Sequence, residues 1–188
     1  MQSAKIGMKV TKLDSRPISA CDSLHLALVV LTKAEHHYVE DLRILVDKFM
    51  YAMENAVSVS SKVNRRVFRG VNDLFTSAAA HLEKLKGLTG KEGVVLTESS
   101  PETFEFFELM QEKVQREEEQ YIRYCAHHYD AMLTLQILLY RPDVADVLQK
   151  KSYEVGKTIE ELLQKPFTHI RRLPQLCRNA LQLVANDS

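Results

Sequence analysis

The chain has 188 residues, 45% hydrophobic and 27% charged, with 25 Lys+Arg set against 25 Asp+Glu. That length suits one domain with a sizeable core, and a formal net charge of zero supplies no general field for nucleic acid or an anionic membrane, which sets both aside as primary partners. Cys21, Cys125 and Cys177 are odd in number, far apart and outside any C-x-x-C spacing, the pattern of reduced thiols in a cytoplasmic protein.

Residues 1–20 hold no long apolar run before a cleavage site and read as an N-terminal extension, not a secretory signal. The apolar stretch from Leu24 to Leu31 is interrupted by His25 and is too short to span a bilayer. Asp22-Ser23 is a candidate N-cap pair. Beyond it Leu24, Leu28, Leu31, Tyr38, Leu42, Leu45 and Phe49 recur three and four apart once Glu35 is skipped, which predicts one face of a helix about seven turns long. A second helix is expected over about Ser61 to Leu85, carrying Val67, Val71, Leu74, Phe75 and Leu82, with Gly87, Gly90 and Gly93 breaking it. Ser99-Ser100-Pro101-Glu102 reads as a cap with proline in the first turn. Helix then continues through Phe104, Phe107, Met110, Val114, Tyr121, Tyr124, Cys125 and Leu133 until Arg141-Pro142-Asp143. A short helix carries Val144, Val147 and Leu148, and after Gly156 the last helical region runs from Ile159 to about Val184. No useful β-alternation and no internal repeat is present, so the fold class is all-α: an elongated antiparallel helical bundle.

Within this pattern few residues suggest covalent chemistry. His36-His37 and His127-His128 are adjacent on helices and so point about 100° apart, a poor arrangement for chelation. His36 and Glu40 could hold zinc weakly, but no second ligand pair accompanies them, so no metal or other cofactor is expected. Cys125 and Cys177 read as buried structural thiols, Arg116-Glu117-Glu118-Glu119-Gln120 as a solvated helix face, and Arg65-Arg66 as surface. The spacing of Gly87, Gly90 and Gly93 follows no strand, which argues against a phosphate-binding loop. A membrane-bending helical dimer would need a basic concave face, against which the neutral balance argues.

Three ordered stretches carry a resemblance. Ala34-Glu35-His36-His37-Tyr38-Val39-Glu40-Asp41-Leu42 is similar to T-E-x-x-Y-V-x-x-L. Tyr121-Ile122-Arg123-Tyr124-Cys125-Ala126-His127-His128-Tyr129-Asp130-Ala131 is similar to Y-x-x-Y-C-x-N-x-x-x-A, with His127 in place of asparagine. The run from Leu162 to Leu176 resembles L-L-x-x-P-x-Q-R-I-x-R-Y-P-x-L. These are the three conserved regions of the Dbl-homology (DH) domain, and the resemblance spans about residues 21–184. On this resemblance residues 21–188 are expected to form a DH-like domain with a short last helix and no PH domain after it.

The resemblance implies a guanine-nucleotide exchange factor for a Rho-family small GTPase, with any membrane contact only indirect and the oligomeric state left open. The family's first and third regions grip the GTPase switch segments, which places Val30, Ala34, His37, Thr168, Arg172, Gln175 and Asn179 at the interface. Arg172 occupies the family's basic position. Val30 stands where the family carries a glutamate, eight residues before Tyr38, and a further family asparagine on the last helix has no counterpart before Ser188. Both departures keep a second reading open, a DH-like binding or scaffold module without exchange activity. Glu35 lies on an apolar stripe and needs a partner. His169 stands where the family has arginine, so a Glu35–His169 pair is expected, which would tie stability to pH.

Overall fold

The computed structural model describes residues 20–56, 59–90 and 95–185, and every regular element among them is helical. The N-terminal extension lies outside the described residues up to residue 19. Helix α1 (Ala20–Ile44) passes directly into a π-helical segment (Leu45–Met50) and then α2 (Tyr51–Glu54). It starts before Asp22-Ser23, so that pair lies inside the helix and does not cap it. All seven apolar positions of the sequence stripe are buried. The wider π turn slows the angular drift of a four-residue spacing, so Leu45, Phe49 and Met53 all stay on the core side.

The expected second helix is two helices, α3 (Ser61–Val67) and α4 (Val71–Thr89). Gly70 adopts φ +80° between them, a left-handed conformation that glycine reaches without a Cβ penalty. Ser60 caps α3 by accepting from the Val63 N–H at 3.4 Å. Gly87 lies exposed inside α4 and does not break it, whereas Gly90 ends it, donating its N–H to Lys86 O at 2.9 Å. Gly93 is outside the described residues.

Helix α5 (Pro101–Leu139) is 39 residues long and starts with Pro101 in its first turn. Its inward face differs from the sequence expectation. Phe104, Val114 and Leu133 are exposed, while Thr103, Phe106, Met110, Lys113, Glu117, Tyr121 and Tyr124 are buried. An apolar count tracks the wrong face here because two ionic side chains occupy core positions. Glu117 is therefore not part of a solvated face, and Cys125 is exposed. Helix α6 (Pro142–Val155) ends at Gly156, again left-handed at φ +69°. Thr158 and Glu161 form a reciprocal capping box on α7 (Ile159–Leu163). Helix α8 (Lys165–Ala185) carries Pro174 inside it.

Helix α1 packs against α4 on one side and α8 on another, and α4 packs against α5. The apolar core falls into two clusters. One gathers Leu24, Leu28, Leu31, Leu85, Phe106, Met110 and Leu173; the other gathers Tyr38, Leu42, Ala78, Leu82, Tyr121, Tyr124 and Leu163. The boundary between them is polar on all four long helices: Glu35 on α1, His81 on α4, Lys113 and Glu117 on α5, and His169 on α8.

Candidate interaction face on helices α1 and α8

The polar layer is built around one ammonium. Lys113 Nζ lies 2.8 Å from Glu117 Oε2 and 3.3 Å from Glu35 Oε2, with all three side chains at most 2% exposed. Ser77 Oγ donates to Glu117 Oε1 at 2.8 Å. His169 Nε2 lies 3.1 Å from Glu35 Oε1, a charged contact only when the imidazole is protonated. The same ring stacks on Tyr38, centroids 3.8 Å apart and planes 5° apart, and Tyr121 OH donates to Tyr38 OH at 3.1 Å. Burial alone would raise the Glu35 carboxyl; His169, Lys113 and His81 override it and hold the group at about 2. Burial, reinforced by Lys113, brings His81 down to about 4, so its ring is neutral at pH 7.

This layer sets the position of α8 on α1. A second tie lies nearer the start of α8: Asp41 on α1 accepts from Lys157 and stands 3.3 Å from Lys165 Nζ. Tyr124 OH donates to the Leu163 carbonyl, which fixes the turn from which α8 begins.

Outside the layer, Val30, Ala34 and His37 follow one flank of α1; Val30 and His37 are exposed and Ala34 is half-buried. Thr168, Arg172, Gln175 and Asn179 are all exposed on one flank of α8. Gln175 is held on both sides, donating to Asn179 Oδ1 at 2.7 Å and accepting from Arg178 at 3.1 Å. Arg172 meets no carboxylate among the described residues. It lines an open cleft of about 560 Å3 with Arg171, Thr168, Gln164, Phe167 and His128. No group of three or more His, Cys, Asp or Glu side chains among the described residues could hold a metal ion, and no described helix is long and apolar enough to cross a membrane.

The sequence reading missed Lys113, Glu117 and His81. The available signal was Glu35 itself, since a carboxylate on an apolar stripe demands a cation at its own level of the bundle. Lys113 and Glu117 sit four apart in line with Met110 and Tyr121, the mark of an inward ion pair once the true face of α5 is known.

The helix order and the packing of α1 against α4 and α8 define an all-helical bundle of the DH type. Residues 30–188 match the RhoGEF domain family, and the chain belongs to it. Its fold is similar to a solved structure of the Vav1 exchange factor, described in terms of its PH and C1 domains, with a TM-score of 0.75 and 20% identity. That match covers 87% of this chain and 42% of the other, so the chain spans less than half of the protein it resembles. Among curated proteins, no sequence matches the chain.

Proposed function

We propose that the chain promotes nucleotide release from a Rho-family GTPase by holding its switch segments on the α1–α8 face. The observation that carries this reading is Arg172, an exposed guanidinium without a carboxylate partner among the described residues, on a face with Thr168, Gln175 and Asn179. Such a group forms charge-assisted bonds with a carboxylate or backbone carbonyl of a partner at little desolvation cost. Exchange needs no nucleophile, base or cofactor of its own. It needs tighter binding to the nucleotide-free GTPase than to the loaded one, and the difference in binding free energy drives release. The reading places the protein in the cytoplasm, where its GTPase partner works.

The direct test is release of a fluorescent guanine nucleotide from a panel of Rho-family GTPases with and without the chain. Arg172→Ala is expected to weaken binding to the nucleotide-free GTPase about 10- to 100-fold, the equivalent of about 1.5–3 kcal/mol, with unchanged helicity. Unchanged affinity would remove Arg172 from the interface.

Val30 favours a second reading, a DH-like binding module without exchange activity. An exposed apolar side chain stands where the family's acid would reach the GTPase, and valine makes no ionic contact there. Val30→Glu is expected to raise the exchange rate about tenfold or more. A flat response with exchange already present would show that this chain uses the surface differently; no exchange from either protein would favour the binding module.

A further inference from the structure

Helix α5 carries a second unusual feature on the side away from the core. Ile122, Tyr129, Leu133, Ile137 and Tyr140 are large apolar side chains exposed by 60%, 80%, 44%, 62% and 88%. They do not scatter. Ile122, Ala126, Tyr129, Leu133 and Tyr140 keep the three-and-four spacing of a heptad seam, with Gln136 completing it and Ile137 beside it. The seam runs about 27 Å. Ala131, Leu135 and Leu138, which point into the core, lie about half a helical turn away. An exposed apolar stripe this continuous is the mark of a protein-binding surface.

We propose that two copies of the chain pair antiparallel through this outer face of α5. The seam is complementary to its own reversed copy. A two-fold axis at the level of residue 131 sets Ile122 against Tyr140 of the second copy, Tyr129 against Leu133, and Ala126 against Gln136. Each tyrosine thus meets a smaller aliphatic side chain. The five exposed side chains offer on the order of 600 Å2 per copy, about 1,200 Å2 in the pair, which clears the roughly 1,000 Å2 of a specific interface. Charge disfavours the parallel sense. A parallel pair would set exposed Glu118 and Glu119 against their own copies.

The test is sedimentation velocity of the full chain at about 50 μM, with circular dichroism on each variant. The wild-type chain is expected as a dimer, and Leu133→Glu, which lies on the surface and leaves helicity intact, is expected to raise the dimer dissociation constant at least about tenfold. Ala126→Cys together with Gln136→Cys, on a Cys125→Ser background, tests the register. It is expected to give a covalent dimer on mild oxidation that neither cysteine gives alone, because the antiparallel pairing sets position 126 against 136 and neither against its own copy. A monomer at that concentration, a Leu133→Glu dimer as tight as wild type, or a cross-link formed by either of the two new cysteines alone would each overturn the proposal. None of these measurements depends on nucleotide exchange, so this proposal and the assigned function fail separately.

Discussion

Replacing Lys113 by methionine is expected to destabilise the chain by about 3–5 kcal/mol, read as a lower urea midpoint at pH 7. The substitution keeps the length and apolar stem of the side chain but removes the ammonium. Glu35 and Glu117 would then face each other across a site where every member is at most 2% exposed. Neither could reach water, and only Ser77 and His169 would remain to offset two buried negative charges. The loss is expected to shrink at pH 4, where a carboxyl freed of its cation can protonate and become neutral. A companion variant separates the charge from the packing. Lys113→Met together with Glu35→Gln and Glu117→Gln removes the uncompensated charges and is expected to recover most of the stability, since a buried ionic cluster replaced as a whole costs far less than one broken at a single member. A loss below about 1 kcal/mol for Lys113→Met alone would show that water reaches the layer.

The stripe from Leu24 to Phe49 was legible because α1 presents one narrow face to the core and the other to solvent, so hydrophobic spacing and burial report the same thing. The three motif stretches carried the fold class for the same reason: their Tyr38, Tyr121, Tyr124 and Leu163 are core residues that hold the helices together. Helix α5 was misread at Phe104, Val114 and Leu133. It has two apolar faces, one buried and one exposed, and its buried face is interrupted by ions, so an apolar count cannot tell inside from outside. Glu35 and His169 were legible as a pair because one is out of place on its helix and the other replaces a cation in the motif. Lys113 and His81 were not, because lysine and histidine mid-helix look like surface residues until the neighbouring helices are placed. The break at Gly70 was hidden by the continuous apolar spacing across it, since Val67 and Val71 are both buried while the backbone between them turns.

Stability is expected to fall as pH drops below about 6.5, and His81 is the group that starts the fall. Its ring is fully buried on α4, with no hydrogen-bond partner for either nitrogen. Burial lowers its pKa from 6.5 to about 4, Lys113, Arg116 and Lys84 push the same way, and Glu35 opposes them. Between those two values the unfolded chain takes up a proton that the folded chain refuses, so acid favours unfolding across that window by on the order of 2–3 kcal/mol. Glu35 extends the slope. Its folded pKa of about 2 lies below the ordinary 4.5, so the stability it contributes is intact above 4.5 and disappears as the pH falls towards 2. The sum of these contributions belongs to the whole layer, but the His81 part can be isolated. His81→Leu removes the titrating ring and its two unpartnered nitrogens from a helix that also buries Ala78, Leu82 and Leu85. It is expected to raise stability at pH 7 by about 1–3 kcal/mol and to flatten the decline between pH 6.5 and 4 while leaving the decline below 4.5 in place. Urea unfolding of both proteins at half-unit steps from pH 7.5 to 3.5 measures this directly. Parallel curves over the upper window would mean that His81 takes up its proton in the folded state, and that the layer contains water able to solvate it.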